Sequence, residues 1–462
     1  MLTAEKSVRV PHDLVERVLG ARRRSDALFS LVREDALYER PIPERHRIIF
    51  YLGHLEAFDW NLLHQAISPN PRKGVPTEFD RLFAFGIDPV GGGLPTDVPS
   101  DWPSVDVVRD YVTNIRDALD VSLANTDFDD PSHARDGFPL PTLLNVAIEH
   151  RLMHVETLAY MLHQLPFDKK IRQADPQLST PPVVHRTVAV PAGPVALGLA
   201  RSSETFGWDN EFEAHTVEVR AFEIDQYKVT NRQYLEFVTA GGYETRAFWN
   251  EDDWNWKNTQ GISHPAFWKK QDNRWLWRGM FDEIAFDGTP AVLDWPVYVS
   301  HAEAGAYARW AGKWLPTEAE WQRAAYGNFD GRLRAYPWGN KGPNDNFSVD
   351  RDPDIKEKLG NFNFQRWNPT PVNAFPDGQS AFGVDDMLGN GWEWTSTAFA
   401  PFPGFEPFPF YRGYSADFFD GKHFVMKGAS PRTAACMLRP TFRNWFQAHY
   451  QYVYAGFRCV RR

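Results

Sequence analysis

The stretch EHRLMHVETLAYML, residues 149–162, sets two histidines four residues apart inside a largely apolar segment. On an α-helix of about 3.6 residues per turn, His150 and His154 stand one above the other on the same side. Imidazoles so placed can converge on one metal ion. Glu156 lies about 200° round the helix from His154, which suits support of the ligands or a helix contact better than ligation. A third ligand must come from elsewhere. His54, in YLGHLEAFDW, is the best donor because it also lies on a buried-looking helix. His12, His46, His64, His133 and His163 fall in loops, near helix ends or off this face. An HxxxH pair alone is common by chance, and a lone buried histidine is usually a satisfied core residue. A third histidine on a second apolar helix shifts that balance, since an imidazole is costly to bury without a partner. Three imidazoles with open coordination positions could hold Zn(II) or Fe(II).

The elements that must position these residues are helical. Apolar positions recur at helical spacing in PHDLVERVLGARRRSDALFSLV (11–32), RIIFYLGHLEAFDWNLLHQA (47–66), VDVVRDYVTNIRDALDVSL (105–123) and PTLLNVAIEHRLMHVETLAYMLHQL (141–165). The second is apolar nearly all round and therefore expected to be buried. Four such segments predict a bundle. Between the second and third runs a long irregular crossover, PNPRKGVPTEFDRLFAFGIDPVGGGLPTDVPSDWPS, the kind of loop that covers a site.

The linker ADPQLSTPPVV (174–184) then changes the pattern: short strands, few helices, frequent Gly, Pro, Asn and Trp. VAVPAGPVALG (188–198) alternates like a strand pair. EIDQYKVTNRQYLEFVTAGG reads as a strand end followed by a Thr/Asn-capped helix. HAEAGAYARWAG is helical, and Thr317 and Glu320 sit at capping-box spacing before another helix. The fold class expected is α+β in two domains, a bundle over 1–175 and a loop-rich domain over 185–462. The 462 residues exceed one ordinary core, and 18 Trp with 34 Phe suggest aromatic plugs.

Sixty acidic against 50 basic residues give a net charge of -10, which argues against a nucleic-acid surface. No apolar run is long enough to span a bilayer, and the N-terminus lacks the form of a secretory signal. Two cysteines, Cys436 and Cys459, are too few for a disulfide framework. The expectation is a cytoplasmic protein acting on small molecules, with no membrane or nucleic-acid partner. Oligomeric state is unreadable.

In the second half, PVYVSHAEAGAYARWAGKWLPTEAEWQRAAYG, YPWGN, NAFPDGQSAFGVDDMLGNGWEWTS, KGAS and AGFRCVR occur in an order that resembles the formylglycine-generating-enzyme, or sulfatase-modifying-factor, family. The resemblance implies a C-type-lectin-like fold. A DinB-like bundle carrying a distal histidine and HxxxHxE, followed by such a domain, resembles the ergothioneine and ovothiol sulfoxide synthases over nearly the whole chain. That resemblance implies mononuclear non-haem Fe(II) held at the interface of the two domains, with His54, His150 and His154 at the ligand positions. It also implies use of O2 to join a thiol sulfur to the imidazole ring of a histidine derivative as a sulfoxide. Three neutral ligands leave about three octahedral positions for thiolate, O2 and a substrate nitrogen.

Residues 399–419, FAPFPGFEPFPFYRGYSADFF, form a dense aromatic loop of the kind that receives a trimethylammonium group, as in histidine betaine. Most of its phenylalanines are better read as plugs of an irregular fold. The resemblance implies an active-site tyrosine here as proton donor, Tyr411 or Tyr414. The segment RPTFRNWFQAHYQYVYAGFRCVR resembles the family's substrate-contacting RNW run, which nominates Asn444 for hydrogen bonding and Trp445 for packing; Arg443 suits a structural ion pair. Three departures bear on substrate. Phe446 and Tyr450 stand where users of γ-glutamylcysteine carry an acidic and a basic residue. No arginine lies between Arg81 and Arg109 to hold carboxylates. Met153 replaces a glutamine that faces the imidazole substrate in related enzymes. The first two favour a smaller thiol such as cysteine.

The expected activity is thus C–S bond formation between cysteine and histidine betaine (hercynine). Ovothiol-type or selenoneine-type chemistry, with histidine or a selenium donor, is the near alternative. A DinB-type Zn(II) thiol transferase, a copper-dependent formylglycine-generating oxidase (which needs a close cysteine pair) and a non-catalytic lectin-like module are the more distant ones.

Overall fold

The computed structural model describes residues 10–67, 78–84, 94–342 and 358–462. Chain contacts divide it between Gln173 and Ala174 into two compact units. Apart from one short hairpin its elements are helical before that point, and they are mixed beyond it, an α+β protein of two domains.

In the first unit the helices are α1 (Val10–Phe29), α2 (Ile48–Ile67), the short α3 (Glu78–Leu82), α4 (Val105–Ala124) and α5 (Leu140–Gln164). The last of these and α2 and α4 end within one residue of where periodicity places them; α1 stops at Phe29 rather than Val32. Helix α4 is amphipathic: Val105, Val108, Tyr111, Ile115, Leu119 and Leu123 are buried at steps of three and four, one stripe along the helix. Truncating Ile115, which is fully buried, to alanine would cost roughly 2–5 kcal/mol. Helix α2 is buried on nearly every side. The buried set also includes the charged Glu56 and Asp59, which its apolar look concealed.

The chain enters α5 through a two-residue hairpin in which Ala134–Arg135 pairs with Phe138–Pro139. Asp136 and Gly137 both have positive φ, 50° and 82°, the Asp-Gly turn whose twist matches paired strands. Pro141 follows within the first turn of α5, where its missing N–H costs nothing. Of the long crossover expected as a lid, residues 68–77 and 85–93 lie outside the described residues. Its described parts hold α3 and the single turn Pro99–Asp101.

The second unit is built from small sheets. The largest has the order 444–447, 423–429, 391–398, 455–456, antiparallel except for the last pair. The segment 188–198 does hold two strands, but they do not pair with each other. Thr187–Val190 pairs with Phe222–Asp225, and Gly193–Leu197 with His215–Val219. Helix Asn231–Thr239 is capped by Thr230 with Gln233, and helix Glu318–Tyr326 by Thr317 with Glu320, both reciprocal boxes. With so little regular structure the core relies on large side chains: Trp208, Trp277, Trp295, Trp321, Trp392 and Trp394 are fully buried. Under strand Gly391–Ala398, Arg458 forks onto Glu393 at 2.6 and 2.9 Å while Lys228 pairs with Asp386. These charges are paired as burial requires.

Candidate metal centre

His54 projects from α2, and His150 and His154 from α5. Their Nε2 atoms converge: His54 to His154 is 3.3 Å and His154 to His150 is 3.1 Å. One ligand atom from each lies within 4.8 Å of the others, and among the described residues they are the single His/Cys/Asp/Glu cluster of this kind. Nitrogens bound at about 2.0–2.1 Å to one ion stand roughly 3.0 Å apart at octahedral angles and 3.4 Å at tetrahedral ones. The spacings of 3.3 and 3.1 Å fit either.

The tautomer of His54 follows from its other nitrogen. Nδ1–H donates to the Phe83 carbonyl at 2.6 Å, leaving the lone pair on Nε2. Gly53 makes this possible, because a Cβ there would stand 2.6 Å from the Phe83 ring. A glycine inside a helix costs about 1 kcal/mol relative to alanine; here it admits the residue that orients its neighbour. Phe50 stacks on His54 at 4.8 Å and Phe58 on His150 at 3.4 Å. Phe58, Phe50 and Phe83 were not singled out from sequence; Gly53 was the available signal.

Burial lowers the His54 pKa to about 4 and holds those of His150 and His154 well below the ordinary range, with neighbouring imidazoles and Arg151 adding smaller effects of the same sign. The Phe83 hydrogen bond opposes this shift at His54. All three rings are therefore neutral near pH 7, the form that ligates. Three neutral imidazoles with mutually facing nitrogens on buried rings suit a divalent cation. Met153 lies between the two ligands of α5 and is half-buried, while Glu156 is buried on the same helix.

In the second unit, Asn444, Trp445 and Phe446 lie on the outermost strand of the four-stranded sheet. Alternation sends Trp445 to one face and Asn444 and Phe446 to the other. The structure therefore does not gather these three on one surface. Trp445 stacks on Phe399 at 4.2 Å and meets Tyr414 edge-on at 5.3 Å. Asn444 Oδ1 accepts from the N–H of Trp445 at 2.9 Å. Phe446 stacks on Tyr450 at 5.0 Å.

Tyr411 and Tyr414 share the turn Pro409–Tyr414, with ring centroids 5.5 Å apart. Tyr414 is buried and stacked on Trp208 at 4.0 Å. Tyr411 is half-buried, and its backbone leaves the helical region at φ -148°, ψ 57°. Ser415 Oγ donates to Asp209 Oδ1 at 2.6 Å, which ties the turn to the chain beside Trp208. Trp208 and Asp209 were missed because nothing in sequence links them to a loop 200 residues later. Arg443 does make a buried ion pair, its Nε and Nη2 donating to Glu318 at 2.9 and 3.1 Å. Cys436 and Cys459 are both free. No described helix is long and apolar enough to cross a membrane.

Comparison with known proteins gives the family. Residues 173–462 match the sulfatase-modifying factor enzyme 1-like domain and residues 18–158 the DinB superfamily. The chain is 33% identical to the hercynine oxygenase of Mycolicibacterium smegmatis, across 96% of this chain and 97% of that protein. It is 39% identical to the hercynine oxygenase of Mycobacterium tuberculosis over 57% of each chain. With ergothioneine biosynthesis protein 1 of Neurospora crassa the identity is 28%, across 93% of this chain and 55% of that protein. A buried three-histidine cluster on a DinB-type bundle, carried by a chain related in this way from end to end, leads to one conclusion: the protein belongs to the hercynine oxygenase family of two-domain, oxygen-dependent oxidoreductases.

Proposed function

We propose that this protein is a sulfoxide synthase that holds Fe(II) on His54, His150 and His154 and joins the sulfur of cysteine to the imidazole ring of hercynine with O2. The observation that carries the reading is the convergence of the three Nε2 atoms, each on a neutral, buried ring. When bound, Fe(II) would supply the redox chemistry with O2 and favour the thiolate form of the sulfur substrate. The names of the relatives, hercynine oxygenase and ergothioneine biosynthesis protein, support the choice of imidazole substrate.

The protein's own groups have separate tasks in this reading. The Phe83 carbonyl keeps the proton of His54 on Nδ1, so that its Nε2 lone pair would be available to hold the metal. Phe50 and Phe58 cover two of the ligand rings and exclude water from that side. Tyr411 is the proton donor, through its phenol oxygen, because its ring is more accessible than that of Tyr414. Tyr414, clamped between Trp208 and Trp445, supports it. Asn444 presents its amide to the imidazole substrate. Phe446 and Tyr450 stack on each other where a charge pair would grip a longer thiol's carboxylates, and that supports cysteine as the sulfur donor.

Mass spectrometry tests this directly. Fe(II)-loaded protein given cysteine, hercynine and O2 should form a product whose mass is that of the C–S-linked pair carrying one added oxygen. Formation of the corresponding sulfoxide from histidine, with none from hercynine, would move the assignment to ovothiol-type chemistry, and a selenium donor outperforming cysteine would move it to the selenoneine type.

A further inference from the structure

The histidine ligands come from two helices, so their geometry depends on the register of α5 against α2. A buried cluster of charges ties those helices together. Arg151, the residue after His150, is 1% exposed and forks onto Glu56, two residues after His54. Its Nη1 donates to Oε1 at 2.9 Å and its Nη2 to Oε2 at 2.8 Å. Nη2 also donates to Asp59 Oδ2 at 2.6 Å and to the Leu55 carbonyl at 3.2 Å. On the other side, Nη1 reaches Ser25 Oγ of α1 at 3.3 Å.

Glu56 is the hub of the bundle. Arg116 of α4 donates to its Oε1 at 2.8 and 2.9 Å, and is itself held by Asp26 of α1 at 2.7 and 2.8 Å. Arg22 of α1 lies 4.0 Å from Glu56 Oε2 and pairs with Asp120 of α4. All four long helices thus contribute to a network around one buried carboxylate. A well-packed apolar plug often matches a buried ion network in stability. What it lacks is the planar, two-point geometry of a guanidinium on a carboxylate, which fixes both translation and rotation. Among the described residues of this network, Arg151 is the one that joins the two ligand-bearing helices directly, through Glu56, Asp59 and the Leu55 carbonyl.

We infer that Arg151 is a positioning residue of the metal centre: its fork on Glu56 sets α5 in register with α2 and so holds His150 and His154 within ligating reach of His54. The inference rests on reading the triad as a metal site. It acts through the ligands: the guanidinium of Arg151 bonds to Ser25, Leu55, Glu56 and Asp59.

Anaerobic titration of the metal-free two-domain protein with Co(II), followed by its visible ligand-field spectrum, tests the inference. Wild type, R151M, R151K and R116M are compared, with folding checked by circular dichroism and thermal melting. Loss of such support weakens metal binding by about 10–100-fold in known sites, and R151M should fall in that range with an altered spectrum. R151K keeps the charge but not the fork, so it should fold and bind with intermediate affinity, which keeps the test decisive if R151M does not fold. R116M removes a tie to α4 only; it should melt lower yet bind Co(II) as wild type does. Wild-type affinity and spectrum in R151K and R151M, or equal weakening in R116M, would overturn the inference while leaving the metal site standing. Failure of wild type itself to bind Co(II) would overturn the metal reading and this inference with it.

Discussion

The histidine cluster and the tyrosine turn are built in opposite ways. The first stands on two long helices whose side-chain directions follow from 3.6-residue periodicity, and its three histidines occupy buried positions. The second is a turn in a stretch with little regular structure, where Tyr411 and Tyr414 take their places from Trp208, Asp209 and Trp445, far away in sequence. Under the proposed function the contrast separates tasks: a metal needs fixed ligand geometry, whereas recognition of organic substrates can vary by loop substitution on an unchanged scaffold.

If that division holds, damage to the bundle site should abolish activity and damage to the loop site should grade it. The largest effect is expected for His150→Ala or His154→Ala: metal content measured after dialysis should fall from one ion per chain to near none, with circular dichroism largely unchanged. A variant that retains stoichiometric metal would place the ligands elsewhere. Next comes Tyr411→Phe. A positioned proton donor contributes about 10²–10⁴-fold, so kcat for sulfoxide formation should drop on that order while metal content stays intact; Tyr414→Phe should cost much less. The opposite ranking would transfer the donor role to Tyr414.

A third effect is pH-dependent and strongest in the bundle, with His301 of the second unit, also lowered to about 4 by burial, adding a share of the same sign. The folded imidazoles titrate below the unfolded value near 6.5, His54 at about 4. Between those values the unfolded chain binds more protons, so the metal-free protein should lose stability as pH falls from about 6.5 towards 4 and gain little above that window. Urea midpoints at several pH values would show it. The slope should shrink in a variant lacking the three histidines, and an unchanged slope would mean that other groups carry it. The smallest effect should be at the stacked pair Phe446 and Tyr450. Cysteine should give a higher kcat/KM than γ-glutamylcysteine, and the double variant F446D/Y450R should narrow that preference by roughly tenfold, the scale of one exposed-to-half-buried charged contact of about 1.4 kcal/mol.

Sequence and structure part company along the same line. The four helices were readable because each buries a continuous stripe or a whole surface, and the triad because i and i+4 on a helix have one geometric meaning. Glu56 and Asp59 were hidden in a segment that looked apolar, since their partners Arg116 and Arg151 come from other helices. Strands Thr187–Val190 and Gly193–Leu197 were visible as strands, but alternation carries no information about which strand is the partner. In the second unit the motifs named the fold, whereas the facing of Asn444, Trp445 and Phe446 required the strand itself.

Iron and oxygen stoichiometry test the central claim most directly. Protein produced without added metal, then loaded anaerobically with Fe(II), should hold one iron per chain and consume O2 only when cysteine and hercynine are both present. Protein that retains zinc in preference to iron, with no uptake of O2 under those conditions, would contradict the assignment.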